Sequence, residues 1–149
     1  MTQIQNLHNR EHVSRIFNRA AHIQALGIEL SNLGAGWCET HLVVEPRHLQ
    51  QTDVVHAGVQ ATIADHTAGA AGSTLLDPDE YVLTVEFKVN FLRAARADEL
   101  RCRADVLKPG RMLSVVESKV YAQHDGTEKL VATATVTLAV MKKKDGSML

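Results

Sequence analysis

Asp65 is the residue of this sequence whose surroundings most demand a chemical explanation. It and His66 are the only ionisable side chains between Ala57 and Leu75, a run dominated by Ala, Gly, Val, Ile and Thr. An ionised carboxylate set among Ala61, Ala64, Ala68 and Gly69 is expensive to bury unless it is paired or hydrogen-bonded. Two readings follow from residue chemistry alone. Asp65 either bonds a polar group across an interface and fixes packing, or it is held ready for proton transfer or nucleophilic attack.

The residues before it sharpen the second reading. In Val55-His56-Ala57-Gly58-Val59-Gln60-Ala61-Thr62-Ile63-Ala64-Asp65, a loop leads into a helix start, and the carboxylate lies two turns further on. The first N–H groups of a helix lack internal partners and carry partial positive charge. Such donors suit a carbonyl oxygen that gains negative charge. With a start near Ala57, the amides of Ala57 and Gly58 are candidate oxyanion donors, and Gly58 presents no side chain to an approaching ligand. His56 reads mainly as a residue that holds the loop in shape. His66 adjoins Asp65, but neighbouring helix residues point about 100° apart, so the two do not form a direct pair.

These groups need elements to position them. Val13, Ile16, Phe17, Ala20 and Ile23 recur at helical spacing and predict one amphipathic N-terminal helix ending at Gly27. Ile28–Leu33 and Trp37–Val44 flank Gly34-Ala35-Gly36 and predict a hairpin. Pro46 ends it, and 47–55 reads as loop. The 19 residues from Ala57 to Leu75 contain no central turn signal and predict a helix that is apolar nearly all round. Asp77-Pro78-Asp79 breaks it. Beyond, Leu83, Val85, Phe87, Val89 and Phe91 alternate with polar residues, a half-buried strand. Leu100–Val106, Leu113–Ala122 and Ala132–Val140 follow as strands joined by short turns, hence antiparallel. The expectation is an α+β fold: one curved antiparallel sheet of about six strands around a long central helix, preceded by an N-terminal helix. A single sheet covers one side of that helix, and a second copy of the chain is the economical cover for the other.

At 149 residues, the chain suits one domain, 1–149. A net charge of −1 gives no bulk electrostatic case for binding nucleic acid or membrane. No apolar run approaches the roughly 20 residues that span a bilayer, and the first ten residues lack a signal-peptide core. Cys38 and Cys102 fit no metal or redox spacing and read as two buried free thiols in a reducing cytoplasm. Lys142-Lys143-Lys144 reads as a solvated, frayed end. Among the eight histidines, His8 and His12 share a helix face but have no further ligand nearby, so no metal site is expected.

The stretch Leu49–Ala71 resembles the signature of hotdog-fold thioesterases of the phenylacetate-pathway type. That signature reads Asn, a short gap, His-Gly-Gly, then Asp seven residues after the second Gly. Here it runs Gln50, His56-Ala57-Gly58, Asp65. The resemblance continues through the strand Leu83-Thr84-Val85-Glu86-Phe87-Lys88-Val89-Asn90-Phe91-Leu92-Arg93-Ala94-Ala95 and the turn Val106-Leu107-Lys108-Pro109-Gly110-Arg111, and it spans roughly 27–140. It implies hydrolysis of an acyl-CoA thioester to a carboxylic acid and free coenzyme A, with no cofactor. Asp65 matches the catalytic carboxylate, as general base or nucleophile. Ala57 matches the Gly whose N–H polarises the carbonyl, beside Gly58 and His56. Gln50 stands where Asn is usual and could orient the water or the thioester. Thr84 matches a Ser/Thr that assists the water. Asn90, Arg93, Arg96 and the turn Lys108, Pro109, Gly110 and Arg111 match the region that meets coenzyme A. The resemblance also implies homodimers that share their active sites across the interface, often paired into homotetramers.

Two other classes compete. One is a non-catalytic acyl-CoA binding module on the same fold; a lipid-sensing regulator of that kind would need a DNA-binding extension, and the segment before Gly27, one helix, is too short for a helix-turn-helix. A hotdog hydratase usually carries His-Phe-Pro-Gly, which is missing here. The acyl group stays open: a ring and a medium straight chain both fit beside Ala68, Gly69 and Gly72.

Overall fold

A computed structural model describes residues 3–144, with side chains from Asn9 onward. The His8 side chain therefore lies outside the described residues. The order is α1 (Gln3–Phe17), α2 (Ala21–Leu26), β1 (Glu29–Gly34), β2 (Trp37–Val43), a short 3-10 turn (Pro46–His48), α3 (Ala57–Ser73), β3 (Glu80–Phe91), β4 (Glu99–Lys108), β5 (Leu113–His124) and β6 (Thr127–Lys142). All six strands form one antiparallel sheet in the order β1-β2-β4-β5-β6-β3. This is the expected α+β hotdog arrangement.

The inner sheet face explains how a helix fits so closely. Alternate residues of β2, β4, β5 and β6 are buried, including Cys38, Leu42, Leu100, Cys102, Val116, Val120, Val136 and Leu138. Among them Ala104, Ser118, Ala132 and Ala134 are small, and α3 lies against this face with Ile63, Ala64, Ala68 and Ala71 fully buried. Fitted polar pairs fix its register. Ser118 Oγ donates to the Ala64 carbonyl at 2.8 Å, and the Thr40 and Thr67 hydroxyls bond at 2.7 Å. The outer face is charged, with Arg101 forked onto Glu128 at 2.7 and 2.9 Å, which holds the Glu128 carboxyl down at about 2.

Four expectations need correction. The N-terminal helix is two helices, because the chain turns at Asn18–Arg19 and leaves Ala20 extended (φ −72°, ψ 101°). The turn lets Phe17 and Ile23 both reach the core. Gly27 does end the second helix, in the left-handed conformation at φ 74°. The central helix stops at Ser73, where the Thr74 hydroxyl donates back to the Ala71 carbonyl at 2.6 Å. The strand at 80–91 is not half-buried: Leu83, Val85, Phe87 and Phe91 are between 43 and 58 % exposed. It is an edge strand, and a bulge at Val85 twists it, since Thr84 pairs Leu138 and Glu86 pairs Thr137. Finally, Lys142 belongs to β6, and Lys143 is tied down through its N–H to the Asp79 carbonyl at 2.7 Å. Cys38 and Cys102 are free and buried as expected, with both thiols pushed up to about 12 chiefly by burial.

Candidate active site

The candidate site centres on the face of α3 turned away from the sheet. Asp65 is half-buried there, and Thr84 Oγ1 of β3 donates to its Oδ1 at 2.7 Å. The Val85 bulge lies immediately after Thr84. The pair lines a cavity of about 270 Å³ whose other walls come from α1 (Val13, Ile16 and Phe17), from α3 (including His66, Gly69 and Ser73) and from Val82 and Leu83 of β3. A carboxylate with one oxygen anchored and the other able to face a small, mostly apolar chamber is a proton acceptor or nucleophile held in position.

His66 borders the same cavity but does not pair with Asp65. Its ring lies 4.5 Å from that of Phe17 at 57°, and burial pushes its pKa below the ordinary value, against the opposing pull of Asp65. The imidazole is thus neutral at physiological pH, and its buried Nε2 has no hydrogen-bond partner among the described residues.

At the start of α3, His56 is the N-cap and its Nδ1 accepts from the Gly58 N–H at 2.9 Å. This supports the shaping role expected of His56 and corrects the expectation for Gly58, whose amide is engaged rather than open. The exposed Ala57 N–H forms no hydrogen bond with the described residues. Ala57 does not adopt positive φ, so alanine replaces glycine here without backbone strain. Gln50 is exposed in the preceding loop, where its side chain donates to Thr52 Oγ1 at 3.2 Å. The loop is closed by the Leu49–Val55 bridge.

The candidate coenzyme A residues fall into two groups. Asn90, Arg93 and Arg96 lie at the end of β3 and just after it. Arg93 and Arg96 line a cavity with His124 and Lys129, and Arg96 is paired with Asp53 at 2.9 Å. Lys108, Pro109, Gly110 and Arg111 form the β4–β5 turn at the other end of β4. A Cβ on Gly110 would collide with the Leu113 carbonyl oxygen, so the turn requires glycine. Ten residues of strand separate the groups by about 30 Å; one chain cannot bring both to one phosphate. Among the described residues, Asp98, His124 and Asp125 are close enough to share a cation. They are exposed, and the two ring nitrogens of His124 already face separate carboxylates at 3.0 and 3.4 Å.

Sequence reasoning missed Ser73 and the α1 wall. Asp65, Gly69 and Ser73 recur every four residues, which is the legible signal for one helix face. The contribution of α1 is tertiary and leaves no such trace.

Hydrolysis of a thioester is the reaction that this arrangement of sheet, helix and anchored carboxylate suits, and the architecture is that of the hotdog hydrolases. The chain belongs to the thioesterase superfamily, whose family model matches residues 52–129. It is 30 % identical to the 1,4-dihydroxy-2-naphthoyl-CoA hydrolase of Listeria monocytogenes over 81 % of this chain and 96 % of that protein. Among solved structures it resembles a thioesterase family protein from Silicibacter pomeroyi (TM-score 0.88, 36 % identity, covering 90 % of this chain and 98 % of that one). It also resembles thioesterase HI1161 of Haemophilus influenzae (TM-score 0.80, 26 % identity, 91 and 92 % covered).

Proposed function

We propose that the protein hydrolyses an acyl-CoA thioester to the carboxylic acid and free coenzyme A, in a site completed by a second copy of the chain. The observation that carries this reading is the Thr84–Asp65 hydrogen bond of 2.7 Å at the wall of a cavity. The relationship to a protein named as a naphthoyl-CoA hydrolase supports the coenzyme A thioester as substrate.

Asp65 lies eight residues after Ala57 on one helix, about 12 Å along the axis. A base and an oxyanion donor must both come within about 3 Å of the reacting atoms. One chain therefore cannot apply its own Ala57 amide and its own Asp65 to the same carbonyl. The long β3 edge supports pairing with a second copy, because its outer side has no neighbouring strand among the described residues and the strand presents Leu83, Val85, Phe87 and Phe91. In the assembled site, Ala57 N–H of one copy holds the carbonyl oxygen and Asp65 of the other works beneath it, with Gln50 and Thr84 orienting the water. The water oxygen adds to the carbonyl carbon as Asp65 takes its proton. The C–S bond then breaks, and the thiolate leaves and is protonated. If Asp65 attacks instead, its oxygen bonds to the carbonyl carbon, the C–S bond breaks to release the thiolate, and water hydrolyses the resulting anhydride; label from heavy-oxygen water found in the Asp65 carboxylate after a single turnover identifies this route.

The two basic groups, Arg93 with Arg96 and Lys108 with Arg111, each offer phosphate contacts from a different copy. Such dimers pair into tetramers in this reading. Free buried thiols fit a reducing cytoplasm; among the described residues no helix is long and apolar enough to cross a membrane. A panel of acyl-CoAs assayed for thiol release tests the activity, and sedimentation equilibrium tests the assembly. A chain that releases no thiol from any of them, or that stays monomeric and active, overturns this reading.

A further inference from the structure

The cavity at Asp65 does not end there. Its walls Ile16, His66, Ser73, Val82 and Leu83 also border a larger cavity of about 540 Å³, which continues toward Leu76, Pro78 and Tyr81. The two chambers run in series along one groove, with α1 as one wall and the outward face of α3 and the start of β3 as the other. Along α3 the groove passes Asp65, Gly69 and Ser73, about 12 Å of helix, before it reaches Leu76. Ser73 presents no unsatisfied donor to it, because its hydroxyl donates to the Gly69 carbonyl at 2.8 Å.

Gly69 lines the first chamber, one helical turn beyond Asp65. A Cβ built there meets nothing within 4 Å, whereas one on Gly72, three residues later, would lie 2.5 Å from Leu138. A side chain at 72 would have to displace the buried Leu138 side chain, whereas among the described residues nothing stands against one at 69. In a helix interior, glycine is less favourable than alanine, and its presence at 69 keeps open the space one turn beyond the catalytic carboxylate.

From this the geometry points to an acyl subsite under α1 that takes an extended aliphatic acyl group of medium or long chain, with Gly69 as the residue that sets how far the chain can extend. The proposal rests on the thioesterase reading and deepens it. A compact ring fills the first chamber and leaves the second empty. A straight apolar chain attached at Asp65 fills both, and each methylene it buries adds to binding.

The test compares kcat/KM for butanoyl-, decanoyl- and benzoyl-CoA in wild type, Gly69→Ala, Gly69→Leu and Ile16→Trp, the last narrowing the groove from its opposite wall. Wild type is expected to prefer decanoyl- over butanoyl- and benzoyl-CoA by at least about tenfold. The decanoyl-to-butanoyl ratio should fall slightly in Gly69→Ala and by about tenfold or more in Gly69→Leu and in Ile16→Trp. Equal or better use of butanoyl- or benzoyl-CoA by wild type overturns the proposal, as does a ratio that both bulky substitutions leave unchanged. Binding of decanoyl-CoA and of free coenzyme A to Asp65→Asn, measured by calorimetry, separates this proposal from the reaction on which it rests. Tighter binding of decanoyl-CoA, lost in Asp65→Asn/Gly69→Leu, supports the subsite even where wild type turns nothing over. Equal affinity for the two ligands counts against the subsite whether or not the enzyme is active.

Discussion

On the sheet side of α3, Gly72 is glycine because Leu138 occupies the place a side chain would take; on the opposite side, Gly69 has open space around it. The same contrast runs the length of the helix. Ile63, Ala64, Thr67, Ala68 and Ala71 face the sheet and are buried to the last few per cent, with Thr67 and the Ala64 carbonyl hydrogen-bonded across the contact. Asp65, His66, Gly69 and Ser73 face away and line cavities. One helix thus carries a closed face that fixes its position and an open face whose polar and small residues line a cavity. The rigidity of the first holds the chemistry of the second within hydrogen-bond tolerance of Thr84.

Substitutions that invade the closed face should unfold the protein, and those on the open face should alter turnover. Ile63→Ala, at a site with no exposure, should cost about 2–5 kcal/mol in urea unfolding. A loss under half a kilocalorie would show that the face is not closed. Thr84→Val removes a hydrogen bond to a carboxylate, and kcat/KM should fall about tenfold to a hundredfold. The thermal midpoint should hardly move, and a large drop in it with unchanged kcat/KM would make Thr84 a packing residue. Gly72→Val should destabilise by about 1–3 kcal/mol through overpacking against Leu138. Gly69→Ala should stabilise by about 0.5–1 kcal/mol through the unfolded chain's entropy; equal effects at the two glycines would erase the contrast.

The smallest effect is a pH slope. Burial lowers the His66 pKa in the folded state below the ordinary 6.5, so in acid the unfolded chain takes up the proton first. Stability from this residue is complete above 6.5 and declines as pH falls below it. Urea midpoints on either side of that value should converge in His66→Phe relative to wild type, and an unchanged difference would exclude His66 as the source.

Most of this architecture is legible from pattern. The run from Ala57 to Leu75 announces a buried helix by composition, and alternation in β4 and β6 matches the inner face of a sheet. The edge strand is less legible, because Leu83, Val85 and Phe87 alternate just as a covered strand does, and alternation cannot say whether the cover belongs to the same chain. The break at Asn18–Ala20 escapes sequence reading because Phe17, Ala20 and Ile23 keep helical spacing across the turn. At the site, Asp65 is legible through its isolation and its spacing from His56-Ala57-Gly58, and Thr84 through resemblance alone. The engagement of Gly58 N–H by His56 depends on a ring orientation that no spacing encodes. The α1 wall depends on tertiary packing.

The most direct test of Asp65 as the reacting group is steady-state hydrolysis of an acyl-CoA panel by wild type and Asp65→Asn, with thermal unfolding of both. The substituted amide would keep a hydrogen bond to Thr84 but could neither take a proton from water nor attack a carbonyl. Turnover should fall by two to four orders of magnitude, on the order of what one positioned acid–base group supplies, while the unfolding midpoint stays close to that of wild type. Turnover within a few-fold of wild type, with a lowered midpoint, would return Asp65 to packing and leave the proposed reaction without its base.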